Sequence, residues 1–369
     1  MKIALVHELL TMRGGAERVL RILADMFPDA PIYTLLYDEK KLGEWFPRER
    51  VRTSTINPVF GYNHHLYLKK FPRAVEAWDF SGFDLVLSTS SAFVHGIITN
   101  SAPKHLCYVH SPARYLWDRT HDVQREAGRG ILGPLRQWYL QRVFHTLRIW
   151  DAETADRPDT LLAASKAVQR RVELYWRKQS HVVYPPVDDF WFTPPSAKPA
   201  MQHPEYFLVV SSLVRYKRID LAIEAANALG VHLKIVGEGP DMQRLKSLAG
   251  KTVEFYGWRK GDELKDLYSN AKAVLFPGDE DFGLVPLEAM ASGTPVVAFR
   301  SGGALETMID GETGEFFSEP TSASLQEAMK KLEHKKYSKE VLLNQAKKFS
   351  ATEFKKKILE EIQKMLTIK

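Results

Sequence analysis

Short apolar runs alternate with helical spacing from one end of the chain to the other. Residues 3–6, Ile-Ala-Leu-Val, form a compact apolar run that stops where polar residues and the pair Gly14-Gly15 begin. GAERVLRILADMF then repeats its apolar positions three and four residues apart, which predicts a strand feeding a helix. The pattern recurs in FDLVLSTS and HLCYVH, in TLLAAS before KAVQRRVELY, and in YFLVVSS before RIDLAIEAANAL. HLKIVGEG before DMQRLKSLA, then AKAVLFPG and TPVVAFRSGG, continue it. Runs with no polar alternation read as strands buried on both faces, hence parallel sheets, and the interleaved helices make the fold class α/β. Between Tyr184 and Pro195 the sequence YPPVDDFWFTPP packs four prolines, which resist helix and central strand alike. An interdomain boundary is expected there, giving domains 1–186 and 187–350, with a C-terminal helix from about 350 packing back on the first.

At 369 residues, 44% hydrophobic and 26% charged, the chain is long enough for two cored domains. A net charge of +6 invites an anionic partner. The single cysteine, Cys107, excludes an intramolecular disulfide framework and a Cys-rich metal site, and fits a reducing cytoplasm. No apolar run approaches bilayer-spanning length, and MKIALVHELL lacks a long apolar region before a small-residue cleavage site. A cytoplasmic protein, soluble or peripheral on the inner face of the membrane, is expected.

In open α/β sheets ligands sit beyond the carboxyl ends of the strands, and the informative motifs fall at such junctions. Gly14-Gly15 precedes a helix, so it is either a plain tight turn or a backbone that approaches an anion closely. After the run Ala273–Phe276 comes a polar loop with Glu280 and Gly283, followed by helical spacing that puts Glu288 near a helix start. First-turn amides of Leu284 and Val285 suit a phosphate, while a flanking carboxylate accepts hydrogen bonds from neutral hydroxyls. Two acids bracketing one anion site match ribose, diphosphate and hexose in order. The plainer alternative is that Glu288 serves the helix dipole and Glu280 is solvated. Val236-Gly237-Glu238-Gly239-Pro240 is a glycine-rich turn lacking a third glycine, and Tyr256-Gly257-Trp258 is a candidate base contact or ordinary packing. Asp279-Glu280-Asp281 superficially resembles a hard-metal motif. From Ala127 to Trp150 arginines interleave with aromatics and no acid intervenes, which suits either an anionic membrane surface or a helix that packs its aromatics.

Taken together, these residues resemble the retaining glycosyltransferases of family 4, which have the GT-B fold. The resemblance rests on Glu280 and Glu288 within EDFGLVPLEAMASGTPVVA, on RGGAERV, YVHSPARYLWD, VVYPPVD, LVRYKRIDLAIEA and VGEGP, in that family's order along the chain. It implies two Rossmann-like doubly wound domains facing across a cleft. It also implies Glu280, with the backbone of Phe282 and Gly283, against a donor hexose; Glu288 on the ribose diol; Leu284 and Val285 amides on the diphosphate; and Gly14 and Gly15 closing over it. His110 would hydrogen-bond the hexose, and Lys217 would neutralise the leaving diphosphate. Gly237 and Glu238 would lie toward the nucleoside. His7 is an acceptor-side candidate, and Arg114, Tyr115 and Trp117 either line the acceptor side or simply pack and pair. The family arginine before that lysine is Ser212 here, so Arg215 or Arg218 is expected to replace it.

The implied activity is retaining transfer of a hexose from a nucleoside diphosphate sugar, GDP-mannose first, to a hydroxyl of a glycan or lipid-linked saccharide in surface polysaccharide synthesis. A UDP-glucose or UDP-N-acetylhexosamine donor, a GT-B epimerase, and an inactive nucleotide-sugar-binding protein are the alternatives. No cofactor and no metal are expected. No nucleic-acid module is visible, so nucleic acid is not an expected partner.

Overall fold

The computed structural model describes residues 1–58, 61–62, 66–100, 103–130, 132–193 and 206–367. The chain divides into two compact units, Met1–Tyr184 with Lys355–Lys369, and Pro185–Phe354. The Val187 amide donates to the Phe349 carbonyl at 2.8 Å, so the residues after Tyr184 already belong to the second unit, two residues ahead of the expected boundary.

In the first unit seven parallel strands run β1 (Ile3–Leu10), β2 (Ile32–Tyr37), β3 (Val51–Thr53), β4 (Leu85–Ser90), β5 (Lys104–Val109), β6 (Thr160–Ala163) and β7 (His181–Val182). Their order in the sheet is β3-β2-β1-β4-β5-β6-β7. Ala4, Leu5 and Val6 are fully buried, as an unalternated run requires when helices cover both faces. Helix α1 (Gly15–Met26) buries Val19, Leu20, Leu23 and Ala24, one stripe at three- and four-residue spacing. Helix α2 (Gly133–Thr154) seats Val143, Phe144 and Leu147 in the core that includes Phe71 and Phe93.

The second unit repeats the plan with β8 (Tyr206–Val210), β9 (His232–Val236), β10 (Val253–Gly257), β11 (Ala271–Phe276), β12 (Val296–Phe299) and β13 (Gly314–Phe317), in the order β10-β9-β8-β11-β12-β13. Helices α3 (Ile219–Leu229) and α4 (Leu284–Ala291) belong to it. The last helix, α5 (Ala351–Thr367), counts with the first unit from Lys355 onward, where Glu361 pairs with His181 at 2.6 Å. Both sheets are doubly wound. In each the order reverses beside the first strand, between β1 and β4 and between β8 and β11, and these are the switch points where such sheets bind ligands.

Strand β5 carries titratable groups into the core. His105 is fully buried; its Nε2 shares a hydrogen bond with Ser88 Oγ at 2.7 Å, and its Nδ1 has no partner among the described residues. Burial, and next the neighbouring His95, pushes the imidazole down to about 3. Cys107, two residues on, has its thiol pushed up to about 12 by burial and is inert as a nucleophile. An unfolded histidine takes up a proton near pH ~6.5. The folded His105 refuses it until far lower pH, so stability falls as pH falls through this window, by about 2 kcal/mol at pH ~5 for this group. Urea unfolding between pH ~6.5 and ~5 should show a steeper loss for the parent than for His105→Gln. Equal slopes would contradict the assignment.

Candidate functional site

At the switch point of the second unit the loops that follow β8, β11 and β12 meet. The loop after β11 carries Glu280, and the 3-10 turn Arg215–Lys217 after β8 carries Lys217. Their side chains form an ion pair, largely shielded from solvent. Glycines make this approach possible. A Cβ on Gly278 would lie 3.0 Å from Lys217 Cα. After β12, Ser301 Oγ donates to Asp279 at 2.8 Å and the Gly303 amide donates to the Glu280 carbonyl at 2.9 Å. A Cβ on Gly302 would sit 2.2 Å from the Glu280 carbonyl oxygen, and one on Gly303 2.2 Å from Phe282 Cα. Ser301, Gly302 and Gly303 therefore set where Glu280 stands. Sequence reading passes over them, although a glycine pair closing a buried strand was their visible signal.

Gly283 caps α4 with φ +85°, and a side chain there would meet the Phe276 ring at 2.7 Å. The Leu284 and Val285 amides open the helix, which has no side-chain cap among the described residues, and Pro286 contributes no donor. Two amides and the positive end of the helix dipole thus point out beside the Lys217–Glu280 pair's loop. Phe282 is buried against Phe349, ring centroids 5.7 Å apart. Glu288 is 4% exposed and accepts a hydrogen bond from Tyr268 Oη at 2.9 Å. Tyr268, itself buried with Trp191 edge-on at 5.2 Å, is a second residue that sequence reading does not single out.

The VGEGP turn lies under the β8 loop. Gly237 has φ +133°, and a Cβ there would strike the Ser211 carbonyl at 1.8 Å; one on Gly239 would meet that of Leu213 at 2.3 Å. Leu213 N donates to the Glu238 carbonyl at 2.9 Å, and the Glu238 side chain is exposed. These glycines serve the packing of one loop on another. Ser212 is exposed. Arg218, at φ +52°, directs its guanidinium to both carboxylate oxygens of Asp220 at 3.4 Å. Arg215 lies 3.8 Å from Asp241, which also accepts two bonds from Arg244 at 2.8 and 2.6 Å. Tyr256 and Trp258 each lie near a lysine, Lys234 and Lys260 at 5.2 and 5.7 Å.

In the first unit the corresponding switch point gathers His7, Glu17 and His110. His7 Nδ1 shares a hydrogen bond with Thr89 Oγ1 at 2.6 Å, and its Nε2 is 3.7 Å from Glu17. The other Glu17 oxygen accepts the Gly14 amide at 2.9 Å, so one carboxylate links the glycine turn to His7. His110 follows β5, its ring edge-on to His7 at 6.5 Å and to Tyr108 at 5.1 Å. Its Nε2 is buried and has no partner among the described residues. Burial, then repulsion from His7, pushes its imidazole down to about 3, which keeps it neutral near pH ~7. Glu8 is buried and accepts the amides of Ser91, Ala92, Phe93 and Val94, fixing the loop after β4. A lone glutamate within a strand gave no signal of that role.

The remaining acceptor-side candidates are engaged by protein. Arg114 and Arg171 both reach Asp118, at 3.3 and 2.9 Å. Tyr115 packs against Phe144 at 5.6 Å. Trp117 stacks on Tyr175 at 4.9 Å and donates its indole N–H to the buried Asp151 at 2.8 Å. Burial pushes the Asp151 carboxyl up to about 7, against the indole bonds from Trp176 and Trp117.

Comparison with known proteins agrees with the sheet topology. Residues 13–189 match the family described as Glycosyltransferase Family 4, and residues 195–349 that described as Glycosyl transferases group 1. An uncharacterised glycosyltransferase of Methanocaldococcus jannaschii is 28% identical over 148 residues, 39% of this chain and 42% of that one. The GDP-mannose-dependent alpha-mannosyltransferase of Mycobacterium tuberculosis is 38% identical over 106 residues, 28% of each chain. The chain thus spans less than half the length of these curated relatives. Among solved structures, Anabaena HepE in complex with UDP aligns over 99% of this chain and 100% of its own at TM-score 0.69 and 19% identity. Sucrose-phosphate synthase of Thermosynechococcus elongatus aligns over 99% and 100% at TM-score 0.73 and 17% identity. The chain has the GT-B fold, and its two halves resemble these two glycosyltransferase families in turn.

Proposed function

We propose that the protein transfers a hexose from a nucleoside diphosphate sugar to a hydroxyl of a glycan or lipid-linked saccharide, with retention of the anomeric configuration. The observation that carries this reading is the Lys217–Glu280 pair at the switch point, beside a helix that opens with the Leu284 and Val285 amides. Lys217 and the amides neutralise the leaving diphosphate, Glu280 accepts hydrogen bonds from hexose hydroxyls, and Glu288, oriented by Tyr268, takes the ribose diol. His110, kept neutral by burial, has Nε2 available to hydrogen-bond the hexose without adding a charge. Arg215, which shares the 3-10 turn of Lys217 and lies 3.8 Å from Asp241, takes the cationic role absent at Ser212.

In this reading the C1–O bond to the diphosphate breaks while the acceptor oxygen bonds C1 on the same face. The acceptor proton passes to the departing phosphate oxygen. Glu280 is not a covalent nucleophile; its ion pair with Lys217 suits a group that orients hydroxyls. GDP-mannose is the first donor, supported by the mannosyltransferase relatives, one of them named GDP-mannose-dependent. UDP-glucose is the second, supported by HepE complexes with UDP and UDP-glucose. The reaction is read as metal-independent.

Glu280→Ala and His110→Ala should each lower transfer at least a hundredfold in a product assay with GDP-mannose or UDP-glucose, judging from the ~10²–10³ cost of removing single electrostatic donors elsewhere. Parent-like rates in both would defeat the site assignment. Tyr268→Phe should raise KM for the donor about tenfold, with kcat changed less, because it frees Glu288 from its orienting bond; the reverse split would overturn the ribose role. Excess chelator should leave the rate unchanged, and its abolition would overturn the metal-free reading.

A further inference from the structure

Helix α2 has an outward face that the fold does not use. Leu140, Val143, Phe144 and Leu147 turn into the core of the first unit. Leu135, Trp138, Tyr139 and Arg142, three and four residues apart, turn outward, and the three apolar ones are 63%, 51% and 47% exposed. Leu132, just before the helix, is 73% exposed. A second element adjoins this stripe. Lys69, on the 3-10 turn Leu68–Lys70, holds its ammonium 4.4 Å from the centre of the Tyr139 ring, and Leu66 in the same segment is exposed. Arg142 lies over Trp138 at 4.5 Å. Exposed leucines scattered singly are ordinary, whereas large apolar side chains massed on one helix face with cations at their edge mark a contact surface.

We infer that this face docks on an anionic lipid bilayer. Three features of the patch select that occupant. The sequence from Ala127 to Trp150 holds no acidic residue, while Lys69, Lys70, Arg136 and Arg142 are exposed around the apolar centre, so the charge complement is negative. The aromatic pair is Trp and Tyr, whose apolar rings with one polar edge suit the headgroup boundary. Lysine and arginine stems can lie along apolar surface while their charges reach phosphate. Among the described residues no helix is long and apolar enough to cross a membrane, so the contact is a surface one, with the helix lying in the interface.

Flotation of the full chain without any donor tests this apart from the reaction proposed above. Binding to vesicles of about one-third phosphatidylglycerol is expected, with little on phosphatidylcholine alone, and it weakens as salt rises. Removing Lys69, Lys70 and Arg142 together as alanines should lower the partition coefficient roughly a hundredfold. Leu135→Ser with Trp138→Ser should abolish binding while the unfolding midpoint stays near the parent's. Equal binding to neutral vesicles, no binding to anionic ones, or parent-like binding by both variants would overturn the inference. So would a dimer in sedimentation that the serine variant dissolves without any vesicle binding, which would assign the face to a second copy of the chain.

Discussion

The second unit is organised by backbones that approach one another where no side chain fits. Gly278 against Lys217, Gly302 and Gly303 against Glu280 and Phe282, and Gly237 against Ser211 bring the loops after β8, β9, β11 and β12 within contact of one another. That interlock delivers an ammonium and a carboxylate to one point and leaves helix amides at the next. Charge of both signs held beside first-turn helix amides suits a ligand carrying phosphate and hydroxyls together. The rest of the unit, with a core of buried Leu, Ile, Val, Ala and Phe, acts as the frame that fixes those loops.

The first unit solves a different problem, that of keeping polar groups inside a sheet buried on both faces. Glu8 takes four successive amides, Glu17 joins Gly14 to His7, and Asp151 takes two indole donors. Glu8 and Glu17 thereby fix the loop after β4 and the glycine turn, whereas both indoles reach one Asp151 oxygen and its Oδ1 has no hydrogen-bond partner among the described residues. His110, like His105, keeps one ring nitrogen buried with no hydrogen-bond partner among the described residues.

Much of this was legible in the sequence. Unalternated runs such as Ile3–Val6 and Tyr206–Val210 are buried strands of parallel sheets, and the helical spacing after Gly15 and Ile219 corresponds to α1 and α3. Glu280 could be singled out because polar residues gather where an apolar run ends, and Lys217 because it matches the lysine of the family that the chain resembles. The ion pair between them could not, since it joins loops 63 positions apart through glycines whose neighbours only the fold supplies. Tyr268 and Glu8 were silent for a related reason: a tyrosine in a helix and a glutamate in a strand carry no local mark of a partner distant in the chain. Arg114 and Trp117 could by sequence either line an acceptor side or simply pack and pair; in the structure Arg114 pairs with Asp118, and Trp117 stacks on Tyr175 and donates to Asp151.

The account rests on the grip of Lys217 and the α4 amides on a diphosphate, and calorimetric titration of GDP and UDP into the parent chain and into Lys217→Ala measures it without chemistry or acceptor. Binding to the parent that falls at least tenfold in the variant is the predicted result. Absence of binding by either nucleotide, or affinity unchanged by the loss of Lys217, would contradict it.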